Sequence, residues 1–178
     1  MKKNFIWSSL VAILGIFCSF SALSNSGTIK FTGSIVSETC TVSGSSGTDV
    51  EVKFDNVHLS ELNGRAGKFS APKPFKIDLT NCPDLKTFSV TFGNENPTAD
   101  NNYFKVTPPS RGKDQNVAIA LYNKSGSSNA LIKPGDKIQI PGVKGNTHLP
   151  LEAKLISTDS TVTAGDFSRD VKFTISYP

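Results

Sequence analysis

Charge is scarce in this sequence. Aspartate, glutamate, lysine and arginine make up 19% of the 178 residues, below the roughly 25% of ordinary soluble domains, and methionine and tryptophan occur once each. That balance points away from long charged helices, and no stretch keeps a helical period over three turns. Repeats of fixed period, low-complexity tracts and runs of like charge are also missing. The formal net charge is +4. Two of the 19 basic residues are Lys2 and Lys3 at the very start; without them 17 face 15 acidic residues, so the basicity is no footprint of nucleic-acid binding. The length suits one compact domain and is too short for two ordinary ones.

Residues able to carry catalysis are equally sparse. His58 and His148 stand about ninety positions apart, with no serine elbow, cysteine nucleophile or paired-histidine spacing near either. Both read as surface or hydrogen-bonded structural histidines. Asp78, Asp84 and Asp100 fall in loops or on strand exteriors, with no partner that spacing identifies. A metal site needs more ligands than two cysteines and two distant histidines offer, and no cofactor is expected.

What is present begins with a three-part secretory signal. Lys2 and Lys3 form the positive start, Phe5 to Phe20 the mainly apolar stretch, and Ala22-Leu23-Ser24 a small-x-small cleavage box. Its most continuous apolar part, Leu10 to Phe17, is far shorter than the roughly 20 residues a membrane span requires. The expected signal is 1–24, and Cys18 leaves with it. Cys40 and Cys82 remain in a protein bound for a compartment where disulfides persist. One intramolecular bridge is the economical reading, against a free thiol pair or a metal site; each cysteine sits on or just after a strand, so a bridge would staple two strands.

The rest is a succession of short alternating segments divided by turn residues. Strands are expected at 28–42, 49–54, 74–80, 87–92, 103–106, 117–122, 137–140, 149–156 and 170–177, and a helical turn at 59–62. Pro97, Pro108-Pro109 and Pro134-Gly135-Asp136 punctuate them, since proline withholds a ladder donor and glycine tolerates positive φ. Short strands at this spacing indicate a two-sheet sandwich. The inward faces are expected to be Val52 and Phe54; Phe75, Ile77 and Leu79; Phe88, Val90 and Phe92; Leu149, Leu151, Ala153 and Leu155; and Val171, Phe173 and Ile175.

Both ends of the chain beyond the signal are patterned where ends usually fray. Thr28-Ile29-Lys30-Phe31-Thr32-Gly33-Ser34-Ile35 alternates polar and apolar, with Gly33 taking one apolar turn. Val171-Lys172-Phe173-Thr174-Ile175-Ser176-Tyr177-Pro178 alternates in the same way and stops inside a strand. The plain reading is an edge strand and a core strand of a closed sandwich.

A more specific reading comes from resemblance. Gly27 to Gly33 followed by Cys40, Ile77-Asp78-Leu79-Thr80-Asn81-Cys82, Val117 to Tyr122, Leu149 to Leu155, Val162 to Phe167 and Phe173 to Pro178, taken in this order, resemble the structural subunits of chaperone-usher pili, the type 1 and P fimbrial pilins. The resemblance covers essentially the whole chain after residue 24. It implies an all-β, incomplete immunoglobulin-like sandwich that lacks its last strand, with 25–33 as an N-terminal donor extension and 34–178 as the pilin domain. A periplasmic chaperone lends a strand first, and the extension of a neighbouring pilin subunit replaces it at the outer-membrane usher. The donor positions carried over are Ile29, Phe31, Gly33 and Ile35; the groove-edge strand that also meets the chaperone carries Phe173, Ile175 and Tyr177. The implied role is a non-enzymatic subunit of a fimbria at the cell surface, polymerising by donor-strand exchange and supporting adhesion. The alternatives are a one-domain adhesive tip or minor subunit with its own receptor site, and a secreted hydrolase. Only Asn25 to Gly27 precede the patterned run, a short extension that looks closer to pilus adaptors than to some rod subunits.

Overall fold

The computed structural model describes residues 30–32, 39–44, 48–84, 87–108, 112–127, 129–142 and 144–177. The stretch up to Ile35 and the body from Val36 onward are separate units. In the first, Lys30, Phe31 and Thr32 are described, and Phe31 is 89% exposed. The expected signal segment 1–24 and the expected donor positions Ile29, Gly33 and Ile35 lie outside the described residues.

The body is built from nine strands and one helical turn among the described residues: β1 (Thr41–Ser43), α1 (Leu59–Leu62), β2 (Lys73–Cys82), β3 (Thr87–Phe92), β4 (Phe104–Lys105), β5 (Val117–Asn123), β6 (Ala130–Ile132), β7 (Lys137–Pro141), β8 (Gly145–Ser157) and β9 (Phe173–Ser176). All ladders are antiparallel. One sheet runs β1-β2-β8-β5-β4, with β6 also on β5; the other runs β7-β3-β9. The two inner faces interdigitate, as period-2 alternation requires. Ile77, Leu79, Leu149, Leu151 and Leu121 from the first meet Phe88, Val90, Phe92 and Ile140 from the second in one buried cluster.

Cys40 and Cys82 are disulfide-bonded across a sequence separation of 42, stapling the start of β1 to the end of β2. The register of β2 on β8 shifts between Leu79 and Cys82, where Asn81 takes a positive φ of 54°. Such a left-handed residue in a strand marks a bulge, and asparagine tolerates it better than most. Pro74 and Pro150 lie inside strands. At Pro74 the β1 side of β2 is already open, because β1 reaches only Asp78 to Thr80, so the missing donor disrupts nothing there.

Three expected strands differ from the structure. Residues 50–57 are extended but belong to no ladder, although Val50, Val52 and Phe54 face inward and are half-buried. The last strand starts at Phe173 rather than Asp170, because beyond the Phe92↔Phe173 pair the Lys172 carbonyl accepts a bond from Gly93 N–H at 2.7 Å and the ladder ends. The first strand is seen over Thr41–Ser43, and residues 33–38 fall outside the described residues.

Candidate functional site

The expected core positions that stay half-buried are not scattered. Val52, Phe54, Phe75, Val171, Phe173 and Ile175 are all intermediate in exposure, whereas Ile77, Leu79, Phe88, Val90, Phe92, Leu149, Leu151, Ala153 and Leu155 are buried. All of the half-buried set but Ile175 line one groove, where sandwich core lies open to solvent. One wall is the segment 48–55, which carries a single bridge residue at Asp49 and is assigned to no strand beyond it. The other is the stretch 169–174 leading into β9. The floor is made by Ile77, Phe92, Phe104, Leu121 and Leu151, with Phe75 and Ile119 rising from it. This part encloses about 870 Å³.

A second chamber of about 780 Å³ continues the first, sharing Val50, Val52, Phe54, Ile119, Arg169 and Asp170 with it. Its apolar lining is a separate cluster in which Leu62, Val117, Leu155 and Val162 are buried and Val57 and Phe167 pack on them. α1 supplies Leu62, and its turn is fixed by Glu61, whose carboxylate accepts the His58 backbone N–H at 3.2 Å. Between the chambers Phe54 reaches across to Phe167, ring centroids 6.1 Å apart and tilted by 52°. The groove is therefore a trough of two bays with an aromatic waist.

Both walls have an edge that joins no strand ladder. Among the described residues β9 pairs with β3 on one side and with no strand on the other, and residues 50–57 belong to no strand. Two strand edges facing each other over an apolar floor form a slot for one more strand. The strand would satisfy both edges and cover the floor; left open, such edges are sites of adventitious pairing. Among the described residues no three histidine, cysteine, aspartate or glutamate side chains converge to hold an ion.

The structure treats the expected groove-edge residues unequally. Phe173 and Ile175 pair with Phe92 and Val90 of β3 and pack on the open part of the core. Tyr177 does something alternation could not reveal. Its hydroxyl accepts the Cys40 N–H at 3.0 Å and lies 3.4 Å from the Cys40 carbonyl, while its ring packs on Phe88 with centroids 6.4 Å apart. The far end of the β9 segment is thus tied to the disulfide. Phe167, Val50 and the floor residue Phe104 were missed as groove residues; the Val162 to Phe167 motif was visible, but nothing in it says that Phe167 crosses to Phe54.

The rims are charged. Lys53 pairs with Glu51 at 3.1 Å, Lys73 with Asp55 at 2.6 Å, and Lys172 with Glu95 at 3.3 Å. The Lys73 ammonium, by hydrogen bond and charge, holds the Asp55 carboxyl below the usual aspartate range. The Lys172 ammonium does the same for Glu95, whose backbone carbonyl also accepts a bond from the Arg169 guanidinium.

Comparison with known proteins agrees with this architecture. The profile of the family described as fimbrial protein matches residues 29–178. The probable major fimbrial subunit LpfA of Escherichia coli O157:H7 is 34% identical over 160 residues, covering 89% of this chain and 87% of that protein. Two solved structures share the fold. A chain from a chaperone-usher pilus has a TM-score of 0.61 at 21% identity, covering 86% of this chain and 96% of its own. The P pilus rod subunit PapA has a TM-score of 0.63 at 20% identity, covering 78% and 99%. With the open sandwich, its stapled first strands and a family match over most of its length, this chain belongs to the fimbrial protein family of chaperone-usher pilins.

Proposed function

We propose that the protein is a structural subunit of a chaperone-usher fimbria that polymerises by accepting a neighbour's N-terminal strand in its groove and offering its own to the next subunit. One observation carries the reading: an apolar trough open to solvent between two unladdered strand edges, in a fold whose remaining strands are paired. Strand addition suits it because main-chain bonds to the two edges supply affinity and alternate side chains entering the bays supply specificity. The offered strand is 25–33 continuing to Ile35, with Ile29, Phe31, Gly33 and Ile35 directed inward. The exposure of Phe31 supports this assignment, since an aromatic left in water gains roughly 1.5 to 3 kcal/mol on burial in a neighbour.

Before assembly the open groove is an aggregation hazard, so a periplasmic chaperone occupies it through Phe173, Ile175 and Tyr177 and hands the subunit to the outer-membrane usher. Residues 1–24 direct export and are removed, 34–178 form the pilin body, and the assembled protein stands at the cell surface. The role is structural, not catalytic.

Deletion of residues 25–33 tests this reading in cells that make the fimbria. The shortened subunit is expected to accumulate in the periplasm bound to the chaperone and to be absent from sheared fibres, while the parent labels along them in immunogold images. Shortened subunits incorporated along fibres at the parental level would overturn the proposal.

A further inference from the structure

We infer that the face of β5 turned away from the groove carries a binding platform for an acidic saccharide, made of Tyr103 and Tyr122 packed over Ala118 and Ala120 with Lys154 beside them. The platform adds a binding function to the structural role, and none of these five residues lines either chamber of the groove.

An antiparallel sheet with one face on a core ordinarily turns polar side chains to water on the other. β5 does not. Its Ile119 and Leu121 line the groove, so Ala118 and Ala120 point to the opposite face, and there both are 0% exposed. What covers them belongs to the same face: Ile156, Tyr103, Tyr122 and Leu131 form one cluster with them, the last three only half-buried. The register sets Lys154 opposite Ala120 and Glu152 opposite Tyr122. Tyr103 directly precedes Phe104, the partner of Ile119, so it flanks Ala120 on the side away from Lys154. Strands two apart in a sheet are separated by roughly 10 Å, a span that one sugar ring covers.

The chemistry of this patch is amphipathic. Its middle is aromatic and its rim is charged. The Lys154 ammonium lies 5.2 Å from the centre of the Tyr122 ring and 3.2 Å from a Glu152 carboxylate oxygen, and Lys124 approaches the other oxygen at 3.5 Å. Two ammonium groups thus share one carboxylate, which leaves one positive charge in excess. Burial, then the neighbouring Tyr103 and Glu152, raises the Tyr122 hydroxyl above its ordinary 10.0, so it remains a donor at neutral pH. A wholly apolar partner would strip water from these charges without replacing it. A pyranose offers an apolar C–H face to the rings and hydroxyls to the rim, and a carboxylate on it matches the excess charge. Repetition of the platform along a fibre turns a weak single site into a strong collective one.

The test is saturation-transfer NMR on the full-length subunit in its chaperone complex, with sodium glucuronate as the probe and glucose and sodium acetate beside it. Transfer to the ring protons of glucuronate is expected, about tenfold weaker to glucose and absent to acetate. Tyr103→Ala and Lys154→Gln are each expected to reduce glucuronate binding about fivefold or more, and Lys154→Arg to retain it, while each variant keeps the parental circular dichroism and enters fibres. Sheared fibres are expected to bind immobilised polygalacturonate at least about a hundredfold more tightly than the subunit does. Acetate binding as well as glucuronate would reduce the site to an adventitious carboxylate contact and overturn the proposal, as would undiminished glucuronate binding by both Tyr103→Ala and Lys154→Gln. No glucuronate binding by the parent, with fibre formation lost in folded Tyr103→Ala, would assign the face to contact between subunits instead.

Discussion

Replacing both bridged cysteines, Cys40→Ala with Cys82→Ala, probes the part of the fold on which the groove depends. The bridge spans a sequence separation of 42. In the chain-entropy treatment a closed loop of this size removes enough freedom from the unfolded chain to stabilise the fold by about 4 kcal/mol at 25 °C. Small domains have about 5 to 15 kcal/mol in all, and a sandwich with an open side sits at the lower end of that range. The bridge also fixes the Cys40 backbone, whose N–H donates to the Tyr177 hydroxyl at 3.0 Å. Its loss loosens the end of β9 as well as β1. The measurement is urea unfolding followed by far-UV circular dichroism, on subunit saturated with the 25–37 peptide; the one tryptophan, Trp7, lies in the expected signal and offers no fluorescence probe. The expected outcome is a loss of about 4 kcal/mol with little change in the slope of the transition, or roughly 10 °C in Tm. A loss under about 1 kcal/mol would refute the argument, since it would mean that the unfolded chain is not appreciably restrained by the loop.

Three further outcomes follow from other parts of the structure. Ser157 is 2% exposed; its hydroxyl accepts Lys68 N–H at 3.0 Å and donates to the Arg65 carbonyl at 2.9 Å, so Ser157→Ala should cost about 1 to 3 kcal/mol in chemical denaturation by removing two part-buried hydrogen bonds at about 0.5 to 1.5 kcal/mol each. The carboxyls of Asp55 (beside Lys73), Glu95 (beside Lys172), Asp100 (bonded by Thr98), Asp114 (beside Lys105) and Asp159 (bonded by Thr161 N–H) all sit below their ordinary values of 3.8 or 4.5. Folded-state values depressed in this way give stability that is present above the unfolded value and lost as pH falls through the folded one. The midpoint in urea should thus hold steady from neutral pH to about 5 and decline below about 4, by a small amount because the groups are exposed; a midpoint unchanged down to about pH 2 would contradict it. As donor peptides, Phe31→Asp should fail to displace the chaperone because it buries an unpaired carboxylate, and Gly33→Leu because it overfills the groove; exchange at the parental rate by both would remove the donor assignment.

Much of the fold was legible in the sequence, and the part that was not has one physical cause. Alternation located β3 and most of β2, β7 and β8, because each presents one main face to the core and a period of two records that directly; β5, buried on both faces through Ala118 and Ala120 as well as Val117 and Leu121, is marked instead by its continuous apolar run. The turn at α1 and the bridge between strand-borne cysteines were also readable. Val50, Val52 and Phe54 show the same alternation, yet their segment joins no ladder. Periodicity reports which side chains face inward; it is silent on whether the backbone edges find partners. The missed β6 is three residues long, too short to show a period. The first residues of β8, Gly145 to His148, are polar, and their pairing with β2 follows the bulge at Asn81. The groove edge at Phe173 and Ile175 was read through family likeness. Its waist at Phe54 and Phe167 and the Tyr177 link to Cys40 depend on contacts between distant segments that no local pattern encodes.

The central claim is that one added strand completes this sandwich between residues 50–57 and β9. Hydrogen exchange on the subunit, released from its chaperone with and without the 25–37 peptide, tests it most directly. The account predicts that bound peptide slows amide exchange in 50–57 and in 171–177 at least tenfold, corresponding to about 1.4 kcal/mol of added local stability, with smaller changes at the outer edges formed by β7 and β4. Protection confined to the edges away from the groove, or none in 50–57 while the peptide is bound, would contradict it.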